Sequence, residues 1–276
     1  MSGAESMPAD PSEATLSKVI AVTGASTGLG RGIAVAAARA GMRVVVADLT
    51  ETPRPGNFDE RPELTTHALI EAEGGQALFI TCDVARAADA NAMVAAAIAR
   101  FGRLDVLVNN AGVYRGGRFH EISEADFDAC WNVIAKGSWL VSQAAVRQFL
   151  AQGQGGCIIN VVSTAGLRGH YGQSAYNVAK GAQAQLTRLL ALEYGHAGIR
   201  VNAICPTNVK TAMSRGGFDR VEWRDAVSRG FPLGRWGEIK DVADMAMFLA
   251  SDAASFVTGA LIPLDGGETL GPVRPD

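Results

Sequence analysis

Residues 19–30 read VIAVTGASTGLG, and this stretch decides the fold. Val19–Val22 form a short apolar run that ends, after Thr23, in Gly24, as a strand buried on both faces does. Glycines follow at 28 and 30, and an alanine-rich segment runs from Leu29 to Ala40 before stopping at Gly41. A strand that leaves through glycine into a helix gathers free backbone N–H groups and the positive end of the helix dipole at one spot, which suits a phosphate. Gly24 gives the tight exit, Gly28 lets backbone approach a pyrophosphate, and Gly30 permits close helix–strand packing.

Outward from this turn the same alternation repeats. MRVVVAD (42–48), ALFITCDV (77–84), LDVLVNNAG (104–112), CIINVVS (157–163), RVNAICP (200–206) and ALIPLDGG (260–267) read as further strands. Residues 65–73, 87–101, 124–152, 176–194 and 240–250 read as helices between them. Continuous Val/Ile runs alternating with helices predict an α/β, Rossmann-type doubly wound parallel sheet of seven strands. No linker interrupts the pattern, so residues 18–276 are expected to form a single dinucleotide-binding catalytic domain. MSGAESMPADPSEATLS (1–17) reads as a loose tail without the charge and apolar run of a secretory signal. The proline-rich insert after Asp48, residues 51–64, cannot be regular structure.

Composition narrows the function. Of 276 residues, 48% are hydrophobic and 19% charged, enough for a large core, and the net charge of -3 gives no support for nucleic-acid binding. Four cysteines without metal-ligand spacing argue against a zinc site and against a disulfide framework, and point to a reduced, cytoplasmic setting. No apolar stretch reaches the roughly 18 residues that a membrane span needs.

The candidate chemistry lies at strand ends. Asp48 closes the second strand, 18 residues after Gly30, where an acid accepts hydrogen bonds from adenosine ribose hydroxyls and repels a 2′-phosphate. Neither Thr27 nor Leu49 brings a positive charge nearby, so NAD rather than NADP is the expected cofactor. Tyr176 and Lys180 stand four residues apart, on one helix face. A nearby ammonium stabilises a phenolate, so the lysine is expected to lower the tyrosine's pKa toward the working range of an acid–base catalyst. Ser163 ends the preceding strand and is placed to hydrogen-bond the oxygen that Tyr176 protonates.

With TGASTGLG (23–30), Asp83, NNAG (109–112), Asn132, Ser163, YNVAK (176–180) and CPTNVKT (205–211) in this order, the sequence resembles the short-chain dehydrogenase/reductase family over nearly its whole length. The resemblance implies a catalytic set of Asn132, Ser163, Tyr176 and Lys180. Tyr176 is then the general acid/base, Ser163 polarises the carbonyl, Lys180 also binds the nicotinamide ribose, and Asn132 anchors a water that links Lys180 to solvent. It implies NAD binding by Gly24, Ser26, Thr27, Gly28, Leu29, Gly30, Asp48, Asp83, Val84, Asn110, Ala111, Gly112, Tyr176, Lys180, Pro206, Asn208, Val209 and Thr211, with no metal. Without it, Asn132 reads as a polar residue breaking an apolar helix, Asp83 as a helix-capping precursor, and NNAG as turn chemistry.

Two features depart from the family. Pro206-Thr207-Asn208 replaces the usual Pro-Gly, so Thr207 must tolerate the glycine's backbone or the loop must differ. The 51–64 insert is placed to fold over the adenosine or is a tolerated surface insertion. Both are similar to features of carveol dehydrogenases, some of which hold NAD very tightly. Resemblance also implies a substrate lid at about 211–238 and a homotetramer built on 124–152, 176–194 and 256–267. The aromatic residues of the lid, with Tyr114, His170 and Tyr171, suit a partly apolar alcohol or ketone, while Arg115, Arg118 and Arg168 leave an anionic one open. His170 itself reads more readily as an exposed loop residue. The expected activity is interconversion of a secondary alcohol and a ketone. The alternatives are a 3-oxoacyl-thioester reductase-like enzyme and a non-catalytic NAD-binding sensor or scaffold.

Overall fold

The computed structural model describes residues 18–56 and 58–271, so the tail read at 1–17 lies outside the described residues. Seven strands form one sheet in the order β3-β2-β1-β4-β5-β6-β7, every pair parallel. They are β1 (Val19–Thr23), β2 (Arg43–Asp48), β3 (Ala77–Thr81), β4 (Val106–Asn109), β5 (Gly156–Val161), β6 (Ile199–Pro206) and β7 (Leu261–Leu264). The first half of the sheet is crossed by helices α1 (Gly28–Arg39), α2 (Thr66–Ala72) and α3 (Ala87–Phe101). The second half is crossed by α4 (Glu124–Cys130), α5 (Gly137–Gln152), α6 (Ser174–Tyr194), α7 (Arg215–Phe218), α8 (Val221–Arg229) and α9 (Ile239–Ala250).

Side chains of successive strand residues point to opposite faces, so each strand feeds two cores. Ile20 and Val22 pack under α1 and α9, whereas Val19 and Ala21 pack under α3, α5 and α6. The result is the three-layer architecture that continuous apolar strands require. Gly32 faces Ile239 so closely that a Cβ on it would lie 2.1 Å from the isoleucine side chain, which brings α1 hard against α9.

The chain winds outward from β1 to β3 and then crosses to β4 on the other side of β1. Ligands bind at such a switch point, outside the carboxyl ends of the strands. Three elements differ from the sequence reading in ways that shape this edge. The strand ends at Thr81: the Cys82 N–H still donates to the Asp48 carbonyl at the end of β2, and Cys82–Val84 then line the cleft instead of extending the sheet. The helix expected over 124–152 contains a π-helical turn, Trp131–Lys136, between α4 and α5. Such turns insert an extra residue and often mark functional positions, and this one carries Asn132. Helix α6 begins two residues earlier than expected, which places Tyr176 in its first turn.

Candidate active site

Gly24 and Gly28 adopt φ of +63° and +61°, a conformation that side-chain-bearing residues rarely take. At Gly30 a Cβ would lie 2.2 Å from the Gly24 carbonyl oxygen and 2.4 Å from Asn110 Nδ2, so the packing expected of this glycine is onto the strand exit itself. Asn110 braces the turn by donating from Nδ2 to the carbonyls of Thr23 and Gly24, both at 3.0 Å. Thr23 Oγ1 in turn accepts from the backbone N–H groups of Asn110 and Ala111.

The insert reaches this turn. Asp59 accepts from the Gly28 N–H at 2.9 Å and from Thr27 Oγ1 at 2.9 Å, placing a carboxylate at the positive end of α1. Burial pushes the Asp59 carboxyl up, opposed by those two hydrogen bonds and by Arg31. Arg31 is itself buried and holds the insert through the carbonyls of Leu64 (2.7 Å), Arg61 (2.9 Å) and Glu60 (3.0 Å). At its far side the insert meets α7: Phe58 packs edge-on to Phe218 at 5.2 Å, and Arg215 donates to the Gly56 carbonyl at 2.8 Å. Nothing in the residue types singled out Asp59 or Arg31; only the folded path of the insert brings them to the turn.

A cleft of about 610 Å³ opens along the carboxyl edge. Its lining includes Gly24, Thr27, Gly28, Leu29, Asp48, Asp83, Val84, Asn110, Ala111, Gly112, Ser163, Tyr176, Lys180, Pro206, Asn208, Val209 and Thr211. Three residues expected at the site stand behind this lining. Ser26 is buried and gives its N–H to Asp48, Gly30 packs as described, and Asn132 lies in the π-helical turn without a direct hydrogen bond to Lys180. Asp48 accepts from the N–H groups of Ser26 (2.9 Å) and Leu49 (2.7 Å). Arg54 of the insert lines the same end of the cleft, a positive charge that the sequence reading did not place there. Thr207 needs no left-handed backbone, since Arg61 alone among the described non-glycine residues has positive φ.

Ser163, Tyr176 and Lys180 come together at the other end. Ser163 Oγ accepts from the Ala165 N–H at 3.1 Å and neighbours the Tyr176 hydroxyl, whose ionisation it favours. Lys180 Nζ lies 5.7 Å from the centre of the Tyr176 ring and donates to the Val161 carbonyl at 2.6 Å and to Gln183 Oε1 at 2.9 Å. Burial pushes Tyr176 up to about 12, partly offset by Ser163, and pushes Lys180 down to about 7. The lowering of the tyrosine expected from its lysine is not seen: burial, Cys130 and Tyr114 raise it and only Ser163 lowers it. Lys180 is buried and Tyr176 half-buried in the cleft wall, and burial penalises the phenolate and the ammonium alike.

Toward the substrate side, Tyr114 packs edge-on to Tyr176 at 5.4 Å, and Gln173, Met213 and Trp223 continue the wall. His170 lines this end too and is half-buried rather than exposed, with Nε2 buried and unpartnered. Phe218, Trp223 and Trp236 form an aromatic cluster with centroid separations of 5.2 and 5.5 Å to Trp236, which gives the 211–238 segment its own small core. The three arginines considered for an anionic substrate are engaged elsewhere. Arg115 pairs with Asp126 at 3.4 Å, Arg168 with Glu268 at 2.6 Å, and Arg118 lies over Tyr171, itself 84% exposed and outside the cleft lining.

The site thus joins a glycine turn at a helix N-terminus to a Ser–Tyr–Lys set, its lysine buried and its two hydroxyl residues half-buried, across one cleft. A family profile described as enoyl-(acyl carrier protein) reductase matches residues 24–269. A 2-(R)-hydroxypropyl-CoM dehydrogenase of Xanthobacter autotrophicus is 38% identical over 92% of this chain and 99% of its own. The chain belongs to the short-chain dehydrogenase/reductase family. Another member, an uncharacterised oxidoreductase of Thermotoga maritima, is 41% identical over 91% of this chain and 97% of its own. Among solved structures of the family, one from Agrobacterium tumefaciens, provisionally assigned as a 2-deoxy-D-gluconate 3-dehydrogenase and holding NADP, superposes with a TM-score of 0.82. It is 35% identical, covering 92% of this chain and 97% of that one. Short-chain dehydrogenase/reductases are oxidoreductases that use a nicotinamide cofactor, and the cleft described above has the size and the anion-binding turn to receive one. No group of metal-binding residues occurs among the described residues, and no described helix is long and apolar enough to cross a membrane.

Proposed function

We propose that the chain is an NAD-dependent dehydrogenase that interconverts a secondary alcohol and a ketone, with Tyr176 as the general acid/base. The observation that carries this reading is the meeting of Ser163, Tyr176 and Lys180 at the end of the cleft opposite the adenosine-side Asp48. In this reading the N–H groups of Leu29 and Gly30, which helix geometry leaves without an intrahelical acceptor, face the pyrophosphate beside the one taken by Asp59. Asp48 receives the adenosine ribose hydroxyls, and Asp83 and Val84 border the adenine. Asn110, Ala111 and Gly112 line the nucleotide, and Pro206, Asn208, Val209 and Thr211 border the carboxamide end.

Bound there, NAD supplies the hydride acceptor and, in its oxidised form, a positive charge beside the phenol. Ser163 hydrogen-bonds the substrate oxygen and orients it. Tyr176 takes the hydroxyl proton during oxidation and returns it during reduction. Lys180 binds the nicotinamide ribose and supports the phenolate electrostatically. Asn132 anchors a water that links Lys180 to solvent. The 211–238 segment closes over the substrate and excludes water.

Asp48 favours NAD, whereas Arg54 at the same end eases a 2′-phosphate and moderates that preference. A screen of secondary alcohols and ketones with both cofactors, following the absorbance of the reduced nicotinamide, tests substrate and cofactor together. NAD is expected to give the lower Michaelis constant, and a clear NADP preference would refute that assignment. Trp139, Leu192 and Phe256 are exposed on the α5, α6 and pre-β7 surfaces, which supports assembly into a homotetramer through these elements. Light scattering of the purified chain reads the mass directly.

A further inference from the structure

Gln183 lies three residues beyond Lys180 on α6 and is completely buried. A buried amide is costly unless its ends are satisfied, and both ends here have partners. Oε1 accepts from Lys180 Nζ at 2.9 Å, and Nε2 donates to Ser138 Oγ at 2.7 Å. This orientation follows from chemistry, because an ammonium only donates and the oxygen must face it. Ser138 is buried in the first turn of α5, directly after the π-helical turn. The second acceptor on Nζ, the Val161 carbonyl, comes from the end of β5. The lysine is therefore held from two directions, one of them through a side chain tied to a neighbouring helix.

We infer that Gln183, anchored by Ser138, is a positioning residue for Lys180: it fixes the amine beside Tyr176 and sustains its charge. The inference rests on the role read for Lys180 above. The titratable groups facing the amine are Tyr176 on its own helix, Cys130 of α4 and Cys205 of β6, with no carboxylate among them. Burial holds Lys180 down at about 7. In such a setting a carbonyl that accepts from the charged form favours protonation. An apolar residue at 183 removes that support, and a carboxylate strengthens it.

The test is a titration of the Lys180 Nζ resonance by nitrogen NMR on the full chain without ligands, assigned with Lys180→Arg. Gln183→Met is expected to lower the midpoint by about one pH unit, Gln183→Glu to raise it by at least as much, and Ser138→Ala to lower it less. If Gln183→Met does not fold, the opposite shifts in Gln183→Glu and Ser138→Ala still decide the matter. An unmoved midpoint in Gln183→Glu, or a midpoint moved the same way by Gln183→Met and Gln183→Glu, overturns the inference. The enzymatic reading stands or falls separately, on whether Tyr176→Phe abolishes turnover.

Discussion

The two ends of the cleft treat charge in opposite ways. At the N-terminus of α1 the chain meets a positive helix end with its own carboxylate, Asp59, held by Gly28 and Thr27. At the start of α6, Lys180 is buried and Tyr176 half-buried, with a backbone carbonyl, a serine and an amide as partners and no carboxylate. The first arrangement offsets part of the cost that burying Asp59 sets against the fold. The second works against it, because burial without a counter-charge opposes ionisation of both groups. Perturbed groups of that kind collect where chemistry is done, which supports the proposal that the α6 end is the catalytic one.

The largest effect that would sharpen this contrast is on turnover. Tyr176→Phe is expected to fold and bind NAD as the unmodified chain does while losing on the order of a thousandfold or more in rate. Retained turnover would break the assignment.

Next comes stability at the same end. Unfolded lysine keeps its proton up to about 10.5, whereas folded Lys180 gives it up near 7. Between those values the unfolded state binds more protons, so this group makes stability rise with pH. Urea denaturation at pH 6.5 and 9.5 should show a gain with pH in the wild type that is smaller in Lys180→Met. Equal pH dependence in the two would contradict the burial argument.

At the other end, Asp59→Ala removes a helix cap and is expected to cost about 1 kcal/mol, a fall of roughly 2–4 °C in Tm. An unchanged Tm would mean that the carboxylate contributes nothing there. An effect of similar size falls on cofactor choice. Asp48→Ser should narrow the NAD preference by about tenfold, equivalent to about 1.4 kcal/mol, as read from the two Michaelis constants.

The sheet was legible because each strand is a continuous Val/Ile run and each crossover ends in glycine or polar residues, as at Gly41 and Gly74-Gly75. Most of the residues expected at the site line one cleft, since strand ends and helix starts converge on the same edge. What escaped the sequence depends on longer paths. TETPRPGNFDERPEL holds four acids, and only the fold selects Asp59 to reach α1. Gln183 reads as any polar helix residue until α5 is seen to cover it with Ser138. Asn132, which only the family resemblance singled out, reads by pattern as a flaw in one long helix, yet it sits within a π-helical turn. The balance at Tyr176 was misjudged because spacing shows a lysine nearby but not the burial that raises the tyrosine.

A crystal structure of the chain with bound NAD tests the central claim most directly. The pyrophosphate is expected at the α1 N-terminus, and the nicotinamide ring beside the Tyr176 hydroxyl, close enough for a substrate carbon to lie between them. A dinucleotide bound elsewhere, or a nicotinamide turned away from Tyr176, would contradict it.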